Sequence, residues 1–394
     1  MNLPIIKLKK GRDRSILKRH PWIFSGGIEG KVPAEDGDIV EIQDVSNNFL
    51  AYGFYSTTSQ ISCRLFEFDK EKNAFQTVDY WKEKIHNALL LRKSLIDTTR
   101  TNAYRLLHAE GDFFPGLIAD AYNDVLVLQV LIKAVEKLLP LLKDALTELG
   151  FKNIYVRAKS SSTKLEDINP LSGWLSGEAN NPVTVMENGL LFNVDFIEGQ
   201  KTGFFIDQRD NRLFLQAYAQ DKTVLNAFSY SGGFSVYALA GMAKEVHSLD
   251  ISAAATNLAE ENVALNGLPK EKHKSITDDC FDFLKDMPDD FYDLIVLDPP
   301  AFAKNARAVE NASRGYKQIN MKAIKKIKPG GILFTYSCSQ NINNDLFRKI
   351  LFGAAADVRR NVRIIQQLHQ PLDHPINIYH PEGEYLKGLV LWVE

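Results

Sequence analysis

The sequence predicts an α/β protein: a doubly wound, Rossmann-like sheet over residues 183–394, preceded by a small β domain (1–72) and an α+β middle domain (73–182). Three observations predict it. From about residue 183, apolar strand-like runs alternate regularly with amphipathic helical stretches, the signature of a sheet with helices on both faces. The first 70 residues instead hold short runs rich in β-branched and aromatic residues, punctuated by Asp-Gly and Asn-Asn turns. Between them, helical spacing and strand-like runs are mixed.

Taken in order, "DGDIVEIQD", "FLAYGFYS" and "QISCRLFEF" are the strands of the first domain. A helix follows over 78–96, then a strand (124–131), a helix (135–150) and a strand (153–159). The polar stretch 160–182, rich in Ser, Gly and Asn, reads as loop and domain boundary. Beyond it, strands are expected at 223–228, 245–250, 273–278, 292–298, 331–337 and 362–369, with a final run "KGLVLWVE" that suits an antiparallel strand. In "SAAATNLAEENVALNGL", Ser252 is a candidate N-cap and Asn266-Gly267 a stop. Ligands of such a sheet bind at the carboxyl ends of its strands.

Composition excludes several classes. With 45% hydrophobic and 24% charged residues in 394, the chain is neither disordered nor fibrous. Its N-terminus is basic but has no signal-peptide core, and no stretch is apolar enough to span a membrane. Three scattered cysteines (63, 280, 338), with no paired spacing, predict neither a zinc site nor a disulfide framework and fit a reducing, cytoplasmic compartment. The net charge of −2 conceals segregation. Residues 1–20 carry Lys7, Lys9, Lys10, Arg12, Arg14, Lys18 and Arg19 against one acid, and residues 301–328 carry Lys304, Arg307, Arg314, Lys317, Lys322, Lys325, Lys326 and Lys328 against one. Solvated faces would look like this, and so would surfaces that bind phosphate backbones.

The run "LNAFSYSGGFSVYAL" (225–239) is a strand, a small-residue turn and a helix. Gly232 and Gly233 let the backbone approach a ligand or let the helix pack tightly. Asp250 ends the next strand, where an acid can accept from both hydroxyls of a ribose. The loop lacks the G-x-G-x-x-G pattern of pyrophosphate binding, which favours S-adenosylmethionine over a dinucleotide. Asp279 in "ITDDCFDFL" would accept from the adenine amine, with Asp278 as neighbouring competitor; two acids opening a helix also serve as caps.

The fourth strand runs into "LDPPAFAK" (297–304), where Pro299 and Pro300 stiffen the turn that carries Asp298. The fifth runs into Cys338, so both residues should reach one cleft. A free cysteine is often only a small buried hydrophobe. Methylation at carbon 5 of a pyrimidine, however, needs a thiolate to add at carbon 6 first. Asp298 would stabilise charge at ring N3 during that addition.

These segments, with "HPWIFSGGI" (20–28), "GDFFPGLIADAYNDVLVLQ" (111–129), "GQKTGFFIDQRDNR" (199–212) and "YSCS" (336–339), resemble the bacterial large-subunit rRNA methyltransferases that join an N-terminal PUA domain to a class I methyltransferase domain. The resemblance spans nearly the whole chain and implies 5-methylcytosine formation in 23S rRNA. It implies that Lys201, Thr202, Phe205 and Arg209 frame the donor, that Phe228, Tyr230 and Gly232 line its loop, and that Asp250 holds ribose. Asp279 and Phe281 would meet the adenine, Asp298 would border donor and base, and Cys338 would be the nucleophile. RNA would run over Lys7, Lys9, Lys10, Arg14 and Arg19, and over Lys304, Arg314 and Lys317. The oligomeric state stays open, a homodimer included. Where the two-cysteine RNA cytosine methyltransferases carry a second cysteine, this chain has Ala301, so product release needs another group or water.

Two other readings compete. Asp-Pro-Pro-Ala-Phe also resembles the Pro-Pro-aromatic motifs of amino methyltransferases, and a related family makes 7-methylguanine, which suggests a base-nitrogen target. A non-catalytic RNA-binding assembly factor would keep the fold without turnover. Cys338 separates the first from carbon-5 chemistry; absence of donor binding in calorimetry would mark the second, against which the intact strand-end residues argue.

Overall fold

In the first seventy residues, short runs rich in β-branched and aromatic residues form a five-stranded sheet: β1 (Ile5–Lys7), β2 (Trp22–Phe24), β3 (Ile39–Gln43), β4 (Phe49–Tyr55) and β5 (Ile61–Glu67), in the order β1-β3-β4-β5-β2. Val40 and Ile42 of β3 face a core with Ile6, Leu8, Ile23 and Cys63. The computed structural model describes residues 3–157, 172–303 and 305–394.

A second five-stranded sheet follows: β6 (Ala103–His108), β7 (Leu117–Tyr122), β8 (Val125–Val130), β9 (Asn153–Arg157) and β10 (Gly173–Ser176). The helix Lys133–Glu148 makes the crossover between the parallel strands β8 and β9. Trp81, on the helix Val78–Leu95, is fully buried against Phe54, Phe66 and Phe114. The stretch 160–182, expected as loop, contains β10. That strand owes its form to pairing with β9 and to Trp174 packing on Tyr155 and Phe196, contacts that local composition does not carry. Residues 158–171 of that stretch lie outside the described residues.

The chain then makes a hairpin of β11 (Val183–Glu187) and β12 (Leu190–Val194), turning through Asn188 and Gly189, both at positive φ. Two units result. One comprises Met1–Val185, Val194–Ile206 and Leu372–Gly383; the other comprises Met186–Asn193, Asp207–Pro371 and Glu384–Glu394.

The second unit holds a seven-stranded sheet: β13 (Thr223–Ala227), β14 (Glu245–Asp250), β15 (His273–Thr277), β16 (Leu294–Leu297), β17 (Gly331–Ser337), β18 (Val362–Leu368) and β19 (Lys387–Val393). Their order is β15-β14-β13-β16-β17-β19-β18. The first five strands are parallel, and β19 runs antiparallel to both β17 and β18. Every residue of β13, β16 and β17 is buried, which is why these strands read as unbroken apolar runs. The chain winds outward from β13 through β14 to β15, then returns to β16 on the other side. The strand order therefore reverses between β13 and β16, and the crevice at their carboxyl ends is where such folds take ligands.

Candidate active site

At the end of β13, residues 228–232 turn sharply. Phe228, Tyr230 and Gly232 have φ of 61°, 43° and 73°. For two aromatic residues the left-handed region is unfavourable, and such strain persists where the surroundings enforce it. Here they do: the Tyr230 N–H donates to Asp250 Oδ2 at 3.0 Å, and Asn262 Nδ2 donates to the Ser231 carbonyl at 2.9 Å. The Ser252 N–H holds the other Asp250 oxygen at 3.0 Å. Asp250 is thus oriented at the tip of β14, with one oxygen serving each backbone donor. Among the described residues, Ser229 Oγ is buried beside this turn without a hydrogen-bond partner, a polar atom suited to a ligand.

Gly232 has a different reason to be glycine than close ligand approach. A Cβ there would lie 2.6 Å from Ala259 Cβ, and one on Gly233 would lie 3.0 Å from Arg212 Cδ. The pair lets the helix Gly233–Ala240 seat closely between its neighbours. Arg212 in turn is buried in a bidentate ion pair with Glu187, at 2.8 and 2.7 Å.

Asp279, past the end of β15, caps the helix Cys280–Asp286: its Oδ1 accepts from the N–H groups of Phe281 (2.7 Å) and Asp282 (3.2 Å). Capping and ligand binding both fit it, since these bonds use one oxygen. Phe281 meets Phe302 of the Asp-Pro-Pro-Ala-Phe segment with ring centroids 6.0 Å apart, and Phe302 meets Tyr316 at 4.6 Å. An aromatic shelf therefore joins the third strand end to the fourth.

The ends of β16 and β17 come together at the thiol. Cys338 is half-buried, and its Sγ lies 3.9 Å from the carbonyl oxygen of Pro299, in the turn that begins with Asp298. Ser339, fully buried, ties the same segment down: its Oγ accepts from the Ala303 N–H at 3.1 Å and bonds the Tyr316 hydroxyl at 2.9 Å. Tyr336 is buried, its hydroxyl unpartnered among the described residues, and burial, aided by the Asp298 charge, holds its phenol well above the usual range and so neutral. Sequence reading missed Lys387. It opens β19 opposite Ser337, is 3% exposed, and donates to the carbonyls of Ser339 (2.8 Å) and Tyr385 (2.6 Å). The available signal was a lysine heading an otherwise apolar strand.

Of the residues expected to frame the donor, Arg209 is buried at the start of the helix Arg209–Gln216 in the second unit. Lys201, Thr202 and Phe205 belong to the first unit. There Lys201 Nζ stacks 4.4 Å from the Phe205 ring centroid, and the buried Thr202 hydroxyl donates to Asp120 at 2.6 Å and bonds the Tyr122 hydroxyl at 2.8 Å.

The two basic windows differ. All seven bases of residues 1–20 are exposed, Lys7, Lys9, Lys10, Arg14 and Arg19 among them. In the second window Lys322 donates to the Phe281 carbonyl, Lys326 to the Met287 carbonyl and Lys328 to Asp293, so three bases are used in packing. Arg314 pairs with Glu310 at 2.5 Å and Lys317 with Asp357 at 2.8 Å, both at the surface. Lys304 lies outside the described residues.

Comparison with known proteins gives a consistent result. The family model for S-adenosylmethionine-dependent methyltransferases matches residues 104–381, and that for PUA-like domains matches residues 6–68. The chain is 44% identical over 392 residues to the ribosomal RNA large subunit methyltransferase I of Aeromonas salmonicida, covering 98% of each. It is 41% identical over 400 residues to the enzyme of that name from Photobacterium profundum, covering 99% of each. Two solved structures share the fold at 23% identity: one from Streptococcus mutans assigned to the SAM-dependent methyltransferases (TM-score 0.84, covering 99% of this chain and 100% of the other) and one in complex with SAH (TM-score 0.85, covering all of both).

Proposed function

This chain belongs to the S-adenosylmethionine-dependent methyltransferases, in the branch of PUA-containing large-subunit ribosomal RNA enzymes, and on that premise we propose that it methylates carbon 5 of a cytosine through Cys338. One observation carries the reading: a half-exposed thiol lies on the Asp298-Pro-Pro turn, at the ends of adjacent parallel strands beside the switch point. Methylation of a nitrogen lone pair has no use for it.

S-adenosylmethionine supplies an electrophilic methyl group when bound. The residues present fit it: Asp250 would accept from the ribose hydroxyls, Phe228, Tyr230 and Gly232 would line its turn, and Asp279 with Phe281 would meet the adenine. The Cys338 thiolate would add to carbon 6 as the π electrons move toward N3, which takes up a proton by way of Asp298 and then donates it in a hydrogen bond to the Asp298 carboxylate. Carbon 5 would then be nucleophilic and able to accept the methyl group, with S-adenosylhomocysteine as the leaving group. Transfer of the carbon-5 proton to water or another group would return the C–H electrons to the ring and expel the sulfur as thiolate, restoring the pyrimidine. The target base would leave its stack to enter, while exposed bases such as Lys9, Lys10 and Arg14 hold phosphates. The substrate is large-subunit RNA, free or assembling, in the cytoplasm.

An RNA substrate carrying 5-fluorocytidine tests the step. Fluorine cannot leave as a proton, so elimination stalls and a protein–RNA adduct stable to denaturant accumulates with the methyl donor present. Cys338→Ala should form none. Absence of adduct with the wild-type protein on otherwise methylatable RNA would contradict the mechanism.

A further inference from the structure

We propose that Lys387 is the resident counter-ion of the Cys338 thiolate, a positioning residue that keeps the nucleophile ionised before RNA binds. The inference rests on the reading of Cys338 as nucleophile. It starts from the cost of the lysine: a buried ammonium is expensive unless something of opposite charge faces it. Lys387 is almost fully buried, yet among the described residues its two hydrogen bonds go to uncharged carbonyls, Ser339 O and Tyr385 O. Ser339 directly follows Cys338, and β19 sets Lys387 opposite Ser337, which directly precedes it. The ammonium is thereby anchored on both sides of the thiol, with one of its three donor hydrogens still to place.

The groups acting on Lys387 agree. Burial pulls its pKa down to about 8, opposed first by Cys338, just past β17, and then by Glu384, three residues before it. At pH 7 the ammonium form prevails. A lysine serving only to staple two loops would need no charge, because a neutral donor would bridge the same carbonyls.

The chemistry balances without proton transfer to Lys387. The thiol loses its proton to solvent, and the thiolate forms facing the ammonium. Its electron pair makes the bond to carbon 6, and the pair returns to sulfur when that bond breaks. The ammonium is unchanged, so it stabilises the anion at the start and at the end of each turnover.

The test uses the full chain without RNA or methyl donor: the pH dependence of iodoacetamide alkylation at Cys338, read by peptide mass spectrometry. In the wild type the midpoint should fall below the ordinary thiol value of about 8.5. Lys387→Gln keeps a hydrogen-bond donor and removes the charge, and Lys387→Met removes both. Each should move the midpoint up by about one pH unit and slow alkylation at pH 7 roughly tenfold. Lys387→Arg should restore it. A Gln variant that titrates like the wild type would overturn the proposal in favour of a structural staple. Should the variants fail to fold, a wild-type midpoint at or above about 8.5 overturns it as well. Because this readout involves no methylation, its failure leaves carbon-5 chemistry standing, and a nitrogen-methylated product would leave the thiol result intact.

Discussion

Two cysteines of this chain stand just past strands of one sheet, Cys280 after β15 and Cys338 after β17, and their surroundings diverge. Cys280 is buried in the first turn of a helix, its sulfur 4.0 Å from the Leu249 carbonyl. Burial pushes its thiol up to about 12, and Asp250, Asp279 and Asp278 push the same way. Cys338 is half-exposed beside a proline carbonyl and near a buried lysine. Strand-end position alone therefore does not make a nucleophile; access and the sign of nearby charge do. Cys280 therefore stays protonated at neutral pH and is a poor thiolate nucleophile.

The largest effect expected from this contrast is on turnover. Cys338→Ala should lower methylation of large-subunit RNA by about 10⁴-fold or more, whereas Cys280→Ala should stay within about threefold, measured by transfer of a labelled methyl group. Equal losses would erase the distinction. Next comes Asp298→Asn, which removes charge from the turn beneath Cys338. We expect kcat to fall roughly 10²–10³-fold with little change in donor affinity; an unchanged kcat would remove Asp298 from the chemistry. On the Cys280 side the carboxylates serve binding. Asp250→Asn should weaken donor binding by about 10–100-fold in calorimetry, through lost charged hydrogen bonds and a loosened Tyr230 turn. If affinity holds, the ribose assignment fails.

The smallest effect separates the basic windows. Replacing Lys9, Lys10 and Arg14 by Gln should reduce RNA affinity and flatten its salt dependence by up to about 0.7 per lost contact. Lys322→Gln should instead lower thermal stability, because that lysine holds the Phe281 carbonyl. The opposite pattern would reassign the RNA surface.

What was legible in the sequence follows burial. The central parallel strands β13, β16 and β17 are apolar because both faces are covered, and across β13 to β17 sequence bounds and observed bounds differ by two residues or fewer. Ser252 caps its helix as its position suggested, its Oγ accepting from the Ala255 N–H at 3.3 Å. Strands β1, β2, β6, β7, β10, β11 and β12 went unread. They are short or carry mixed residues, and β1 and β2 are held by β3 and β5, partners distant in sequence. The same holds within the site. Asp298, Asp250 and Cys338 were recognisable from motif and strand end, but Lys387 was not: its role depends on an antiparallel pairing across some fifty residues. Of the two readings of Gly232, ligand approach and tight helix packing, the approach of Ala259 supplies the second. Charge counts over residues 301–328 also overstated the free surface, since counting cannot tell a solvated lysine from one bonded to a carbonyl.

The most direct test of the account is the identity of the methylated nucleoside. Unmodified large-subunit RNA, incubated with the protein and isotopically labelled methyl donor and then digested for mass spectrometry, should yield labelled 5-methylcytidine, and Cys338→Ala should yield none. Label appearing instead on a guanine or other base nitrogen, undiminished by loss of the thiol, would contradict it.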